Sequence, residues 1–230
     1  MTDPRVIQLI MTLRGQGITD ERVLSAIERT PRELFVDAPF QASAYDNGAL
    51  PIACGQTISQ PFIVALVTQL MKLEPDMRVL ELGTGSGYQA AVLAPLCRRV
   101  YTIERHRPLL RQAEARFKTL KLDNVVTRHA DGLNGWAEQA PFHRILLSAA
   151  IGEVPSILIE QLKPGGMLIA PVGAVPKSNG FGVAESFSQR LTQIIRTEDG
   201  VEHHALIPVM FVPMVAGLPE VGPDDVERKP

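Results

Sequence analysis

The spacing of apolar residues changes along the chain, and the first part of it predicts helices. Amphipathic patterns at about Pro4–Leu13 and Asp20–Arg29, separated by Gly15-Gln16-Gly17, predict a helical hairpin. Residues 31–60 hold few periodic runs, and the turn sequence Asp46-Asn47-Gly48 is typical of loops. We therefore expect residues 1–60 to form a helical and loop-rich addition that precedes a larger unit.

From residue 77 onward, short apolar runs alternate with helical patterns, which predicts a doubly wound, mostly parallel α/β sheet. A helix is expected at 62–72, before the alternation begins. The predicted strands are 78–82, 99–103, 125–129, 144–147 and 167–170. One predicted helix ends at about residue 96, and two more lie at 108–120 and 155–162. Residues 190–196 and 206–212 can form a closing antiparallel hairpin around Asp199-Gly200. We expect one domain over residues 1–214, with its core at 61–214, and a mobile tail at 215–230, where prolines and acidic residues leave little to bury.

Residues 79–89 carry the strongest functional signal, because an apolar run breaks there into three alternating glycines at 83–87. Glycines let the backbone turn sharply and approach a ligand without a Cβ in the way. A dinucleotide fingerprint would need another glycine where this chain has Tyr88, so a nicotinamide or flavin dinucleotide is disfavoured. Glu104 ends the next apolar run, and a carboxylate there can accept both ribose hydroxyls. The pattern predicts a site for an adenosine-containing ligand rather than a glycine-rich surface turn.

Composition narrows the class of protein further. The formal net charge is −2 and the sequence pI is about 6.2, which argues against an electrostatic grip on nucleic acid or anionic lipid. No stretch reaches the roughly 18 apolar residues of a membrane span, and the first residues mix charged with apolar side chains. Cys54 and Cys97 are far apart and form neither a disulfide framework nor a zinc pattern. We expect a soluble protein of the reducing cytoplasm, without a metal.

Ser59 has two interpretations. It lies just before the predicted helix, and Pro61 suits the first turn of that helix, so Ser59 can be its N-cap. Alternatively, its hydroxyl can orient an acceptor carboxylate beside the amides of the helix N-terminus.

A set of motifs, taken together, resembles the protein-L-isoaspartate O-methyltransferase family. In chain order they are Leu50-Pro51-Ile52, Gly55 to Pro61, Val79 to Gln89, Asp131-Gly132 with Gly135-Trp136, Leu162 to Gly166, and Phe211-Val212-Pro213. They cover most of the chain. The glycine loop is shared with many methyltransferases, but Gln56 to Pro61 is close to diagnostic of this family. The resemblance favours the acceptor role for Ser59.

The resemblance implies a Rossmann-like methyltransferase fold with an antiparallel closing strand and an N-terminal helical addition. It also implies a repair enzyme that methylates the free α-carboxyl of L-isoaspartyl residues in damaged proteins and flexible peptides, with S-adenosylmethionine as donor. The methyl ester is a better leaving group than a carboxylate, so the next backbone nitrogen can close a succinimide, which hydrolyses partly to aspartate. We expect a monomer.

The same resemblance assigns roles to individual residues. Ser59 orients the acceptor carboxylate, the glycines of the loop cradle the methionine part of the donor, Glu104 holds the ribose, and Asp131 with Gly132 meets the adenine. Asp131 could instead serve only as a turn residue. The cofactor set is Glu81, Gly83, Thr84, Gly85, Ser86, Gly87, Glu104, Asp131 and Gly132, and the substrate set is Thr57, Ile58, Gln60, Val212 and Pro213.

Three positions depart from the family pattern. His143 and Asn47 stand where family members commonly have aspartate, and Ala53 replaces a usual glycine. Two acidic side chains are therefore missing near the expected site, which can alter loop anchoring or acceptor choice, so the identity of the acceptor is less secure than that of the donor. His143 is then either an ordinary hydrogen-bonded or exposed residue or a base for another acceptor. The alternatives are a diverged methyltransferase with another acceptor and a non-catalytic S-adenosylmethionine-binding protein, although an intact residue 57–59 segment argues against decay.

The remaining candidates favour structural roles. Adjacent side chains in a strand point to opposite faces, so His203 and His204 are expected at the surface rather than on one metal. Trp136 is expected to fill core or rim volume rather than stack on a ligand. Cys54 is expected to be a small buried residue.

Overall fold

The chain begins with two helices that pack as an antiparallel hairpin, as predicted. The computed structural model describes residues 3–174 and 189–219. Helix α1 spans Pro4–Gly15 and helix α2 spans Glu21–Arg29. Each follows an aspartate N-cap, since Asp3 accepts from the Arg5 amide at 2.8 Å and Asp20 from the Arg22 amide at 2.9 Å. Their apolar faces are buried.

A loop-rich connection links this hairpin to the sheet. It contains 3₁₀ turns at Arg32–Phe35, Ala38–Ser43 and Ala53–Gly55. Between and after these turns, β1 (Leu50–Pro51) pairs antiparallel with β2 (Thr57–Ile58). Helix α3 then begins at Pro61 and ends at Leu70. Pro61 occupies its first turn, where a missing N–H costs nothing.

The rest of the chain alternates strands and helices, as the apolar runs predicted. Its elements are β3 (Arg78–Leu82), α4 (Tyr88–Leu93), β4 (Arg99–Glu104), α5 (Arg107–Thr119), β5 (Val125–His129), β6 (Phe142–Leu147), α6 (Ser156–Glu160), β7 (Leu162–Gly173), β8 (Gln189–Arg196) and β9 (Val201–Val209). The seven strands lie in the order β5-β4-β3-β6-β7-β8-β9. β5, β4, β3, β6 and β7 are mutually parallel, whereas β8 and β9 form the closing hairpin.

The two faces of the sheet bury two separate apolar cores. Alternate strand residues such as Val79 and Val100 join the core that also contains α1, α2, α3 and α4. Their neighbours Leu80 and Tyr101 join the core on the opposite face. A strand buried on both faces must be apolar at nearly every position, which explains the unbroken runs in the sequence.

The strand order also determines where a ligand can bind. β3 lies between β4 and β6, so the chain leaves β3 toward one side of the sheet and later returns to its other side through β6. In such sheets a crevice opens beyond the carboxyl ends of the two strands that flank this reversal. Here those ends are Leu82 and Leu147.

Two strands extend further than the apolar pattern predicted. β7 begins at Leu162, because Leu162 pairs with Phe142 across an irregularity before the regular pairing resumes at Met167. The Pro164-Gly165-Gly166 sequence therefore lies within this strand and does not end it. β9 begins at Val201, directly after the predicted turn at Asp199-Gly200.

Part of the predicted tail lies outside the described residues. The expected mobile segment covers 215–230, of which residues 220–230 are not described. In the described part, Gly217 donates its amide to Asp131 at 2.6 Å, and its carbonyl accepts from Arg105 at 3.0 Å. Within residues 3–174 and 189–219, no helix is both long and apolar enough to span a membrane.

A substitution at Gly87 tests how closely the glycine loop packs against the helices. Its φ is +89°, and a Cβ there would lie 2.9 Å from the Phe117 ring. We expect Gly87→Ala to lower the free energy of unfolding by about 1–3 kcal/mol, because the new residue combines a left-handed backbone with a clash. Urea denaturation measures this. Gly15→Ala, at a helical position with open space around it, is the control and should be neutral or stabilising. Equal stability of the two variants would contradict the account.

Candidate active site

An open cavity lies beyond the carboxyl ends of β3 and β6, where the strand order reverses. Counting its open mouth, it has a volume of about 1040 Å³. Its wall is formed by residues 56–59 and the adjoining face of α3, the loop after β3 with the first residues of α4, the end of β4 through His106, Gly132, the end of β6 through Ala149, and residues 211–215. The cavity therefore brings together motifs that are up to about 150 residues apart in the sequence.

The loop after β3 has the backbone that its glycines predicted. Gly83 and Gly85 have φ values of +98° and +54°, and both line the cavity. The Gly83 amide donates to the Ile103 carbonyl at 2.8 Å, which joins the loop to β4. Thr84 and Ser86 also line the cavity, although both are almost fully buried. These four residues present a wall of backbone and small polar groups to a ligand.

Gly87 differs from the prediction. It was assigned to the ligand cradle, but it is buried against Phe117 and Ala113 and is not part of the cavity wall. It occupies the N-cap of α4 in a left-handed conformation. Its absent side chain thus serves the contact between α4 and α5 rather than a ligand.

Glu104 connects the end of β4 to the glycine loop. One carboxylate oxygen accepts from the Gly85 amide and the other from the His106 amide, each at 2.8 Å. The side chain lines the cavity and is 5% exposed. Each carboxylate oxygen can accept a second hydrogen bond, so Glu104 can hold the loop and still bind hydroxyl groups of a ligand.

Glu81 lies at the floor of the cavity. Its side chain is 0% exposed, and it accepts hydrogen bonds from Thr102 at 2.6 Å and from Ser148 at 3.4 Å. Burial raises the pKa of Glu81 to about 8, and the nearby charge of Glu104 acts in the same direction. The carboxyl is therefore mostly protonated at neutral pH, and a cation placed beside it would favour its ionised form.

Ser59 is not an N-cap, so that interpretation is wrong. The N-cap of α3 is Gln60, whose own side chain makes no capping hydrogen bond. Ser59 instead lines the cavity, and its carbonyl oxygen accepts from the guanidinium of Arg32 at 2.7 Å. Thr57 and Ile58 line the same wall, whereas Gln60 does not.

The opposite rim is formed by residues after β9. Val212 and Pro213, predicted to contact substrate, lie in the cavity wall. The Val212 carbonyl accepts from the Ala150 amide at 2.8 Å, and the Met214 amide donates back to the Ala150 carbonyl at 2.7 Å. These two hydrogen bonds connect the rim to the segment that follows β6.

Asp131 has the turn role that was its alternative interpretation. One carboxylate oxygen accepts from the Leu133 amide at 2.9 Å and the other from the Gly217 amide at 2.6 Å. Gly132 is in the cavity wall, but Asp131 is not. A contact between Asp131 and an adenine stays a prediction, and it requires the Gly217 amide to share or leave its oxygen.

His143 lies far from the cavity, so a role as base for another acceptor is wrong. It is near the amino end of β6, about 13 Å along the strand from the carboxyl end that reaches the cavity. Its Nδ1 accepts from the Arg78 amide at 3.0 Å, and its Nε2 lies 3.0 Å from Lys163 Nζ. Burial, followed by the charge of Lys163, lowers the pKa of His143.

Asn47 anchors the loop rather than forming part of the cavity wall. Its Oδ1 accepts from the Phe62 amide in the first turn of α3, and its Nδ2 donates to Gln16, both at 3.1 Å. An aspartate could make only the first of these bonds, because a carboxylate has no donor. The two departures that put the acceptor in doubt therefore both lie outside the cavity.

The remaining sequence predictions have different outcomes. Trp136 packs edge-on against Tyr101 with ring centroids 5.6 Å apart, and His203 and His204 are exposed on β9, as predicted. The expected burial of Cys54 is wrong, since Cys54 is exposed in a left-handed turn with φ of 59°.

Several wall residues were not among those assigned to the cofactor or substrate sets from the sequence. They are Gln56, Ile63, Val64, Val67, Tyr88, Gln89, Ile103, Arg105, His106, Leu146, Leu147, Ser148, Ala149, Phe211, Met214 and Val215. Ser148 and His106 could have been found, because each closely follows the carboxyl end of a predicted parallel strand. The residues of α3 carry no such signal, since their apolar faces look like those of any packed helix.

Comparisons with known proteins agree on one family. The family model described as Protein-L-isoaspartate(D-aspartate) O-methyltransferase matches residues 5–218. The chain is 54% identical over 218 residues to the protein-L-isoaspartate O-methyltransferase of Paramagnetospirillum magneticum, covering 95% of this chain and 98% of that relative. It is 54% identical over 217 residues to that of Maricaulis maris, covering 94% and 97%.

Solved structures give the same result. A protein-L-isoaspartate O-methyltransferase structure matches with a TM-score of 0.79 at 26% identity, covering 92% of this chain and 66% of that one. A Plasmodium falciparum structure described as the same enzyme, in complex with S-adenosyl-L-homocysteine, matches with a TM-score of 0.74 at 25% identity, covering 90% and 97%. The predicted fold class is confirmed.

Glu81 makes stability depend on pH in a definite direction. Its pKa is about 8 when folded and 4.5 when exposed, so the folded state binds the extra proton between these values. The contribution of Glu81 to the free energy of unfolding therefore falls by about 1.4 kcal/mol per pH unit across this window. We expect Glu81→Gln to gain stability relative to the parent protein as pH rises from 5.5 to 7.5, measured by urea denaturation without ligand.

Exposed Glu138 supplies the control, because Arg128 lowers its pKa and its titration lies below the window. Glu138→Gln should therefore keep a constant stability difference from the parent protein. A constant difference for Glu81→Gln as well would contradict the predicted burial of a protonated carboxyl.

Proposed function

The chain belongs to the protein-L-isoaspartate(D-aspartate) O-methyltransferase family, and from this membership we infer that it methylates the free α-carboxyl of L-isoaspartyl residues with S-adenosylmethionine as donor. The ester then closes to a succinimide and hydrolyses partly to aspartate, which begins repair of the damaged protein. The observation that carries the proposal is one cavity that holds both the glycine loop and Ser59.

The residues of the cavity suit this donor. When bound, S-adenosylmethionine supplies a methyl group on a positively charged sulfur. Gly83 and Gly85, with no Cβ, allow the methionine part to lie close to the backbone, and Thr84 and Ser86 offer small polar groups beside it. Glu81 becomes a carboxylate beside a cation, and Glu104 has oxygens for the ribose. We assign the adenine to Gly132, which lines the cavity, and to its chain neighbour Asp131.

The acceptor side needs alignment more than acid–base chemistry. A carboxylate is already a nucleophile and the donor is already activated, so no proton has to move before transfer. Holding the two groups in line can lower the barrier by several kcal/mol. In this proposal the Ser59 hydroxyl donates a hydrogen bond to the acceptor carboxylate, and Thr57, Ile58, Val212 and Pro213 contact the peptide.

The geometry also favours flexible acceptors. Residues 57–59 and 211–215 line the same open cavity, and we infer that an isoaspartate reaches it with its flanking backbone extended. We expect faster methylation of an isoaspartate in a disordered peptide than of the same residue in a packed helix. Equal rates would contradict this.

We also propose that the protein acts as a monomer in the cytoplasm. One chain supplies every segment of the cavity wall, so the site needs no second copy. Cys54 and Cys97 form no disulfide, which suits a reducing compartment. Sedimentation velocity tests the first point, and a dimer at assay concentration would overturn it. Fractionation of the source cell tests the second, and recovery outside the cytoplasm would overturn it.

The direct assay uses methyl-labelled S-adenosylmethionine and two flexible peptides that differ only in L-isoaspartate or aspartate. We expect base-labile methyl ester on the isoaspartyl peptide alone. Equal labelling of both peptides, or none despite measured donor binding, would contradict the function.

A substitution at Ser59 separates positioning of the acceptor from binding of the donor. We expect Ser59→Ala to lower kcat/KM for the isoaspartyl peptide by about 10- to 100-fold, because one orienting group is lost. The Kd for S-adenosylmethionine, measured by calorimetry, should stay within about twofold, since the donor contacts are unchanged. Ser156→Ala, exposed in the first turn of α6, is the matched control and should leave both quantities unchanged. Full activity in Ser59→Ala would remove this residue from the mechanism.

A further inference from the structure

Arg32 is a fully buried arginine that holds two distant parts of the loop-rich segment. Its side chain is 0% exposed. Its Nε donates to the Ala44 carbonyl at 2.8 Å, and its Nη2 donates to the Ser59 carbonyl at 2.7 Å. These acceptors are 12 and 27 residues further along the chain. One guanidinium thus closes the segment that contains β1 and β2.

The surroundings of Arg32 are unusual for a buried charge. Within the described residues its guanidinium donates to two backbone carbonyls and lies over the ring of Tyr88, with the guanidinium carbon 4.7 Å from the ring centroid. Its Nη1 has no hydrogen-bond partner within the described residues. Burying a cation without a carboxylate is costly, so a substitution chosen for stability alone would replace it. A role beyond packing explains its presence better.

The bond to Ser59 lies between the end of β2 and the first turn of α3. Pro61 has no N–H and the Gln60 side chain does not cap the helix, so the next side-chain bond along the chain is the one from the Phe62 amide to Asn47 at 3.1 Å. The regular pairing of β2 ends at Ile58. Arg32 therefore supplies a hydrogen bond at the one residue of this wall that we assign to the acceptor carboxylate.

We propose that Arg32 is a positioning residue for methyl transfer, which fixes the main chain of Ser59 so that its hydroxyl faces the acceptor. This inference rests on the proposed function of Ser59. Since the reaction depends on alignment, a displacement of about 1 Å can cost up to about 100-fold in rate. A lysine keeps the positive charge, but its single nitrogen lacks the planar fork that reaches two carbonyls at once.

The donor side has its own arginine, which offers a contrast. Arg116 donates to the Ser86 carbonyl at 3.0 Å and so supports the glycine loop. The two arginines therefore bind carbonyls of two different segments that line one cavity, residues 56–59 and the glycine loop. If both acted only through general stability, their variants would affect donor and acceptor alike.

The test compares Arg32→Lys with Arg116→Lys, and it uses the full chain at 15 °C. Rates are expressed per S-adenosylmethionine-binding site, so that unfolded molecules do not count. We expect Arg32→Lys to lower kcat for the isoaspartyl peptide about tenfold or more while the donor Kd stays within about twofold. Arg116→Lys should instead raise the donor Kd. Arg144→Lys, whose guanidinium bonds carbonyls of Met71 and His143 away from the cavity, should change neither.

A double variant tests whether Arg32 acts through Ser59. In a Ser59→Ala background, Arg32→Lys should cost less than about twofold, because the group it positions is already absent. If Arg32→Lys does not fold, Arg32→Gln, which keeps one amide donor, takes its place in both comparisons.

Two results would overturn the proposal while the parent protein still methylates the peptide. One is an unchanged kcat in the folded Arg32 variant, and the other is an equal loss with and without the Ser59 hydroxyl. A parent protein that fails to methylate the isoaspartyl peptide would instead overturn the function itself.

Discussion

The reversal of strand order beside β3 is the constraint on which the rest of the site depends. β4 and β6 lie on either side of β3, and the chain leaves the carboxyl ends of β3 and β6 in different directions. This leaves a gap at one edge of an otherwise buried sheet. The glycine loop can enter that gap only because Gly83 and Gly85 adopt positive φ values. The cavity, its acidic floor and its two walls are consequences of this single arrangement.

The charged groups around the cavity differ between the donor side and the acceptor side. Glu81 is buried and mostly protonated at neutral pH, and a cation beside it would favour its ionised form. Glu104 binds two backbone amides and so connects the donor wall to β4. On the acceptor wall the corresponding link is cationic, from Arg32 to the Ser59 carbonyl. The chemistry needs position rather than proton transfer, and these contacts provide position.

Much of the architecture could be predicted because its signals are local. Continuous apolar runs identified the parallel strands, and the glycine spacing excluded a dinucleotide and indicated the ligand loop. The boundaries of β7 were missed, because its Pro164-Gly165-Gly166 sequence looks like a break, whereas an irregular pairing with β6 carries the strand through it. The other wrong predictions concern which residues are buried. Cys54 is exposed and Gly87 is buried, and neither outcome follows from the neighbouring sequence.

The site was predictable where family motifs reached it and not where tertiary contacts decide. Ser59, Thr57 and Val212 lie in one cavity, as the resemblance implied. His143 was expected near the site, but position along β6 places it at the opposite edge of the sheet. Arg32 gave no signal at all, because an arginine in a polar turn usually points to solvent. Only the folded chain shows that it lies beneath the acceptor wall.

A crystal structure with S-adenosyl-L-homocysteine and an isoaspartyl peptide would show whether Ser59 orients the acceptor. We expect the sulfur of the product beside the glycine loop, the ribose on Glu104, and the isoaspartyl α-carboxyl within hydrogen-bond distance of the Ser59 hydroxyl. A peptide carboxyl bound elsewhere, with Ser59 facing solvent, would contradict the assignment of the acceptor wall.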